Sequence, residues 1–234
     1  MSTHFVIIVA AGTGSRIGGN LPKQFLLLDG KPILMHTIEK FANSKTNPKI
    51  ILVLSSQMID FWKELCFEYA FQIPHQVTNG GNSRFQSVKN GLDFIKNNES
   101  YTELSKIAVH DGARPLVSSG LIDELFNTCS NEKHAVIPAV QSTNSVRIGN
   151  QNESFAVERQ TVWLVQTPQL FIASLLFKAY EQPEESNFTD DASVVEKLSN
   201  NLYLLPGDHQ NLKITYEEDL VIAQQLFDKS KRCL

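Results

Sequence analysis

Cysteine, methionine and tryptophan are scarce in this chain: three, three and two residues among 234. Cys66, Cys129 and Cys233 lie far apart, with no CxxC or other metal-ligand spacing, and read as reduced thiols. No stretch approaches the roughly 18–20 apolar residues that span a bilayer. The opening, MSTHFVIIVAAG, lacks the basic start and small-residue cleavage site of a secretory signal. The expectation is a soluble, cytoplasmic chain with no membrane partner. Basic residues are not in surplus: 21 Lys and Arg against 25 Asp and Glu leave a net charge of −4. A general nucleic-acid binder shows a basic excess, so no nucleic-acid partner is expected. Any site for phosphate must then be a local cluster of cations.

What is present is ordinary globular composition, 42% hydrophobic and 20% charged. The length suits one large domain over residues 1–234. Apolar runs at 4–11, 49–56, 71–78, 105–111 and 134–140 read as buried strands. Between them, 32–44, 57–70, 84–98 and 119–130 carry apolar residues at helical spacing. Such alternation predicts an α/β fold: a mainly parallel sheet covered by helices on both faces. Ligands of such sheets bind beyond the carboxyl ends of the strands, which brings the loops 11–25, 78–84 and 110–115 together. The polar, β-branched segment 141–161 breaks the pattern and reads as a protruding hairpin or as a surface loop, with GNQN as its turn. Helices near 172–182, 190–199 and 216–229, and a short strand NLYLL, complete the chain.

The stretch VAAGTGSRIGGNLPKQF (9–25) sets four glycines, Arg16 and Lys23 where a strand hands over to a helix. Its third glycine falls one place late for a dinucleotide fingerprint, and the second strand ends without the acid that would hold a ribose. No GK[ST] follows, so it is not a P-loop. Alone, either cation would read as a surface charge. Together, among glycines whose bare N–H groups can approach phosphate oxygens, they suit a triphosphate.

VHDGARP (109–115) places Asp111 at a strand's carboxyl end. There it can hold Mg²⁺ together with phosphate oxygens, or pair with Arg114 in a salt-bridged turn. His110 reads as a packed neighbour. NGGNSRFQSVKNG (79–91) sets Arg84 and Ser87 in the first turns of a helix, whose N-terminus favours anions; Ser83 also reads simply as its N-cap.

In order, AAGTGSRIGGNLPKQF, GGNSRFQSV, VHDGARP, QTPQLF (166–171), TDDAS (189–193) and GDHQNLKIT (207–215) span nearly the whole chain. This set resembles the 2-C-methyl-D-erythritol 4-phosphate cytidylyltransferases. The related ribitol-5-phosphate cytidylyltransferases share the framework but favour HDSVRPF at the third motif. The resemblance implies a Rossmann-like nucleotidyltransferase fold and a homodimer joined by a β-arm at about 141–161. It implies CTP and a polyol phosphate as substrates, a place in non-mevalonate isoprenoid synthesis, and Mg²⁺ or another divalent cation as cofactor. By motif match, Arg16, Lys23 and Lys213 are the catalytic cations. Ala10, Ala11, Gly12, Gly14, Gly81, Arg84 and Ser87 fall at the nucleotide, and Asp111 at the metal. Arg114, Ser145, Arg159, Thr167 and Thr189 fall at the polyol phosphate.

Two departures stand out. Where the family commonly reads D-T-[IM]-K in the arm, this chain has Asn144-Ser145-Val146-Arg147, keeping the hydroxyl and the cation but losing a carboxylate. Before NLKIT the family often has a second acidic metal ligand; Gln210 stands there, with Asp208 two residues away. The implied nucleophile is a phosphate oxygen, whose second pKa near 6 leaves it mostly ionised at neutral pH, so no general base is required.

Overall fold

The computed structural model describes residues 3–12, 21–199 and 201–232. Arg16 and Gly14, two of the expected site residues, lie outside them.

In chain order the strands are β1 (Phe5–Ala10), β2 (Leu27–Leu28), β3 (Lys31–Pro32), β4 (Lys49–Leu54), β5 (Gln76–Asn79) and β6 (Lys106–Asp111). They continue with β7 (Ala135–Gln141), β8 (Val146–Gly149), β9 (Ser154–Val157), β10 (Trp163–Val165), β11 (Gln169–Ile172) and β12 (Tyr203–Pro206). The helices are α1 (Ile33–Ala42), α2 (Ile59–Glu68), α3 (Arg84–Asn98), α4 (Ser119–Thr128), α5 (Ala173–Ala179), α6 (Asp191–Glu196) and α7 (Glu217–Arg232).

The large sheet runs β10-β7-β11-β6-β1-β4-β5, with β12 also on β7. β1, β4, β5 and β6 are mutually parallel, and β12 is parallel to β7. Only β10 and β11 run against their neighbours. The expected mainly parallel α/β sheet is what the chain forms. The strands are apolar almost throughout because both faces are covered, and successive residues serve opposite cores. From β1, Val6, Ile8 and Ala10 pack with α1, α2 and α4, while Phe5 and Ile7 pack with α3, α5 and α6. Each fully buried aliphatic side chain of this kind contributes about 1.5–3 kcal/mol. A third, small cluster seats α7 through Ala223 on Leu28, Ile33 and Ile214.

Helix α3 spans the residues its periodicity indicated, started by the Ser83 hydroxyl, which accepts the Gln86 N–H at 3.0 Å. The strand expected over 71–78 shrinks to β5, since Pro74 cannot donate to a ladder. The helix expected from residue 57 begins at Ile59, because Ser56–Met58 form a 3-10 turn. Segment 141–161 is indeed a hairpin: β8 and β9 pair antiparallel, with Asn150 N–H on the Glu153 carbonyl closing the turn.

Candidate active site

Three parallel strands deliver the site. β1 ends at Ala10, β4 at Leu54 and β6 at Asp111, and their carboxyl ends open into a cavity of about 700 Å³. Described residues from all three expected loops meet there: Ala11, Gly12 and Lys23 from the first, Gly80 to Arg84 from the second, and Asp111 to Ala113 from the third. Ala10, Ala11, Gly12, Lys23, Gly81, Arg84, Ser87, Asp111 and Lys213 all line it.

The carboxyl end of β1 is tied down by Gln24, a buried side chain. Its Nε2 donates to the Ala10 carbonyl at 2.7 Å and to the Gly12 carbonyl at 3.1 Å. This fixes the end of β1 against the short helical turn Lys23–Phe25, and Lys23 faces the cavity from that turn. On the opposite wall, Gly80 comes so close to Ala11 that a Cβ would lie 2.3 Å from the alanine's. Only glycine allows the two loops to touch. The Ser87 hydroxyl donates to the Ser83 carbonyl and accepts the Gly81 N–H at 3.1 Å, so it shapes the loop from within.

Asp111 is the sole acid among the described residues lining this cavity. Three cations surround it: Lys213 Nζ at 3.0 Å, Arg114 Nε at 3.3 Å and Arg84 Nε at 3.8 Å. Burial alone would favour the neutral acid, but Lys213, Arg84 and Arg114 hold the carboxyl well below the usual carboxylate range. The carboxylate is therefore ionised at any working pH. The pairing with Arg114 that the sequence allowed does form, and it coexists with exposure to the cavity.

Arg114 is itself fixed from outside, donating to the Asn211 carbonyl at 2.8 Å. Asn211 in turn donates to the Thr167 carbonyl at 2.9 Å, and the Gln166 amide donates to the Asp208 carbonyl at 2.8 Å. This clasp seats the 207–213 segment that carries Lys213. The Asp208 carboxylate accepts the Gln210 N–H and lies outside the residues lining the cavity.

Thr167 has its hydroxyl turned inward. It accepts the Asp111 N–H at 3.1 Å and lies 3.0 Å from His110 Nδ1. With Nε2 donating to the Arg114 carbonyl at 3.2 Å, Nδ1 is left as the acceptor for the threonine. His110 is the packed neighbour expected of it. Burial pushes its pKa down to about 3. His4, His36 and His75 are lowered too, each chiefly by burial. Below the ordinary value of 6.5 the unfolded chain takes up protons that the folded chain refuses. Stability is full above 6.5 and declines as pH falls toward 3. His110 alone gives a slope of about 1.4 kcal/mol per pH unit across that window. Urea unfolding midpoints measured down the acid side will fall steadily; a flat profile below 6.5 would contradict neutral burial.

The remaining expected residues lie elsewhere. Thr189 is exposed, just ahead of α6, and Ser145 is exposed beside the start of β8. Arg159 donates to the Thr143 carbonyl and lines a second hollow of about 620 Å³ with Trp163 and His209. The single chain thus brings the nucleotide-type residues together and leaves the arm residues apart from them.

Two residues of the site escape sequence reasoning. Gln24 reads as an ordinary polar neighbour of Lys23. Asp191, fully buried, binds the Arg84 guanidinium through both oxygens at 2.8 and 2.6 Å. The doubled acid in TDDAS was its signal, but a first-turn aspartate reads equally well as a helix cap.

Residues 4–229 match the family described as 2-C-methyl-D-erythritol 4-phosphate cytidylyltransferase. A protein of that name from Azobacteroides pseudotrichonymphae is 46% identical over 230 residues, covering 97% of this chain and all of the relative. One from Bacteroides fragilis is 45% identical over 220 residues, covering 94% of this chain and 97% of the relative. The crystal structure of the Francisella tularensis protein of that name superposes with a TM-score of 0.79 at 33% identity, covering 96% of this chain and 99% of that one. With its fold, its ordered motifs and its full length in agreement, the chain belongs to the 2-C-methyl-D-erythritol 4-phosphate cytidylyltransferase family.

Proposed function

We propose that this chain transfers a cytidylyl group from CTP to 2-C-methyl-D-erythritol 4-phosphate, releasing pyrophosphate, in the cavity at the carboxyl ends of β1, β4 and β6. The observation that carries it is the gathering of Lys23, Arg84, Lys213 and one ionised aspartate around a glycine-walled cavity of about 700 Å³.

A phosphate oxygen of the polyol phosphate attacks the α-phosphorus of CTP. A new P–O–P bridge forms, the bond from the α-phosphorus to the bridging oxygen breaks, and pyrophosphate leaves with the electron pair. The obstacle is charge, since a dianion must approach a polyanion. Lys23 and Lys213, with Arg16 by resemblance, offset that charge on the triphosphate and on the departing pyrophosphate. His110 stays neutral and hydrogen-bonded, consistent with a reaction that needs no general base. Ala10, Ala11, Gly12, Gly81 and Ser87 form the nucleotide wall, with Gly14 joining them by resemblance. Arg114 and Thr167 both touch Asp111 and mark its polyol side, which Thr189 joins by resemblance alone.

The residues suit a divalent cation of the Mg²⁺ kind. Among the described residues no group of three or more His, Cys, Asp or Glu could cage a metal, but Asp111 offers one ionised carboxylate to the cavity. Mg²⁺ typically takes one or two carboxylates and completes its shell with substrate phosphates and water. When bound, it neutralises charge at the reacting phosphates.

The chain acts as a homodimer in this reading, its Ser145 and Arg159 serving the neighbouring subunit's polyol phosphate. Support comes from the apolar surface around the arm: Ile148, Phe155, Trp163, Leu164 and Val165 are all at least 40% exposed. No helix among the described residues is long and apolar enough to cross a membrane; the cytoplasm is the location this reading proposes.

Pyrophosphate release from CTP and Mg²⁺ tests the reading. Release is expected with 2-C-methyl-D-erythritol 4-phosphate, and far less with ribitol 5-phosphate. Equal or greater release with ribitol 5-phosphate would overturn the substrate assignment, and none with either would overturn the activity.

A further inference from the structure

Arg84 is expected to hold nucleotide, yet its guanidinium fork is occupied. Nη1 and Nη2 both donate to Asp191, leaving the Nε edge toward Asp111 at 3.8 Å. Asp191 is 0% exposed and takes a further hydrogen bond from the Tyr180 hydroxyl at 2.7 Å. Tyr180 is 2% exposed, and its ring stacks on Phe85, the residue next to Arg84, with centroids 4.7 Å apart. Asp191 is not needed to start α6. Asp190 does that, accepting the Ser193 N–H in a capping box and the Gln169 amide beside it. A buried carboxylate and a buried phenol are thus devoted to one cavity-wall arginine.

Electrostatics gives this arrangement a purpose. A guanidinium freed from Asp191 would turn its two-pronged face onto Asp111, the carboxylate nearest to it in the cavity. That would lay a fork across the acid that the cavity presents to metal and triphosphate. Held by Asp191, Arg84 contributes its charge from a fixed place, 3.8 Å from Asp111 Oδ1, without closing its fork over the carboxylate.

We propose that Asp191 and Tyr180 are positioning residues for nucleotide binding: they fix the Arg84 guanidinium by its fork and keep it from closing over Asp111. The proposal rests on the cytidylyl-transfer reading above. It is tested by measuring KM for CTP and for 2-C-methyl-D-erythritol 4-phosphate separately, with thermal unfolding alongside. Asp191→Asn is expected to raise KM for CTP about tenfold, and Tyr180→Phe roughly threefold, on the scale of a typical net hydrogen bond. KM for the polyol phosphate should stay within about twofold, because Asp191 acts through a residue on the nucleotide wall. The double variant should be no worse than Asp191→Asn alone, since the hydroxyl acts only through the carboxylate. Tyr180→Phe retains the stacked ring, so it reports even if Asp191→Asn leaves a buried arginine unpaired and fails to fold. Unchanged KM for CTP in Tyr180→Phe, an additive double variant, or a parallel rise for both substrates would each overturn the proposal. A wild-type protein that releases no pyrophosphate would instead refute the transfer reaction, which separates the two failures.

Discussion

Asp111→Asn will lower the rate of pyrophosphate release by about 10²–10³-fold, the usual loss on removing one preorganised charge at a reacting phosphate. The substitution is nearly isosteric, and the backbone N–H at this position still meets the Thr167 hydroxyl. What disappears is a negative charge beside Lys213, Arg84 and Arg114. Lys213 is then released for phosphate, with the charges of Arg84 and Arg114 still in place beside it, so CTP affinity should hold or rise while turnover collapses. Steady-state kinetics at saturating CTP, with Mg²⁺ varied, measures this directly. The same change alters acid stability. The lowered pKa of Asp111 in the fold means that its stabilisation is present above the unfolded value of 3.8 and is lost as pH falls below it. The variant should lack that part of the acid limb. Near-normal turnover would remove Asp111 from the reaction.

Lys213→Ala should match that loss, again about 10²–10³-fold in turnover, for a different reason. Its side chain is 42% exposed, so its ion pair with Asp111 is screened, and stability should change by no more than about 1 kcal/mol. Lys213 neutralises Asp111 at 3.0 Å. In the proposed reaction Lys213 would turn to the triphosphate, leaving Asp111 to hold a divalent cation. Lys213→Arg keeps the charge but spreads it over a fork that does not suit a compact site, so only partial activity should return. Thermal unfolding and pyrophosphate release together separate this from misfolding. A Lys213→Ala protein with wild-type turnover would show that the lysine is merely a counter-ion for Asp111.

Much of this was legible in the residues because it is local. The alternation of β1, β4 and β6 with amphipathic helices dictates a covered parallel sheet, and the sheet dictates where its loops converge. Lys23, Gly81, Ser87, Asp111 and Lys213 reach one cavity as a result. The hairpin at β8 and β9 was readable from its β-branched, polar character. What escaped is long-range. Asp191 meets Arg84 across 107 positions, and nothing near TDDAS distinguishes the aspartate that caps a helix from the one that grips an arginine. Gln24 joins two backbone carbonyls of the preceding strand and loop, a role any buried amide could fill. Thr167 carries a hydroxyl that motif position assigns to substrate, whereas the fold turns it onto His110 and the Asp111 N–H. In the proposed reaction it would act on the polyol phosphate through the placement of Asp111. Strand ends shifted for local reasons, as at Pro74, where the chain gives up a ladder donor.

The most direct measurement is a crystal structure with a non-hydrolysable CTP analogue and Mg²⁺. The triphosphate should lie between Lys23 and Lys213, with the metal on Asp111, in the cavity of about 700 Å³. A triphosphate found instead in the hollow beside Arg159 and Trp163, or a metal bound away from Asp111, would contradict the assignment.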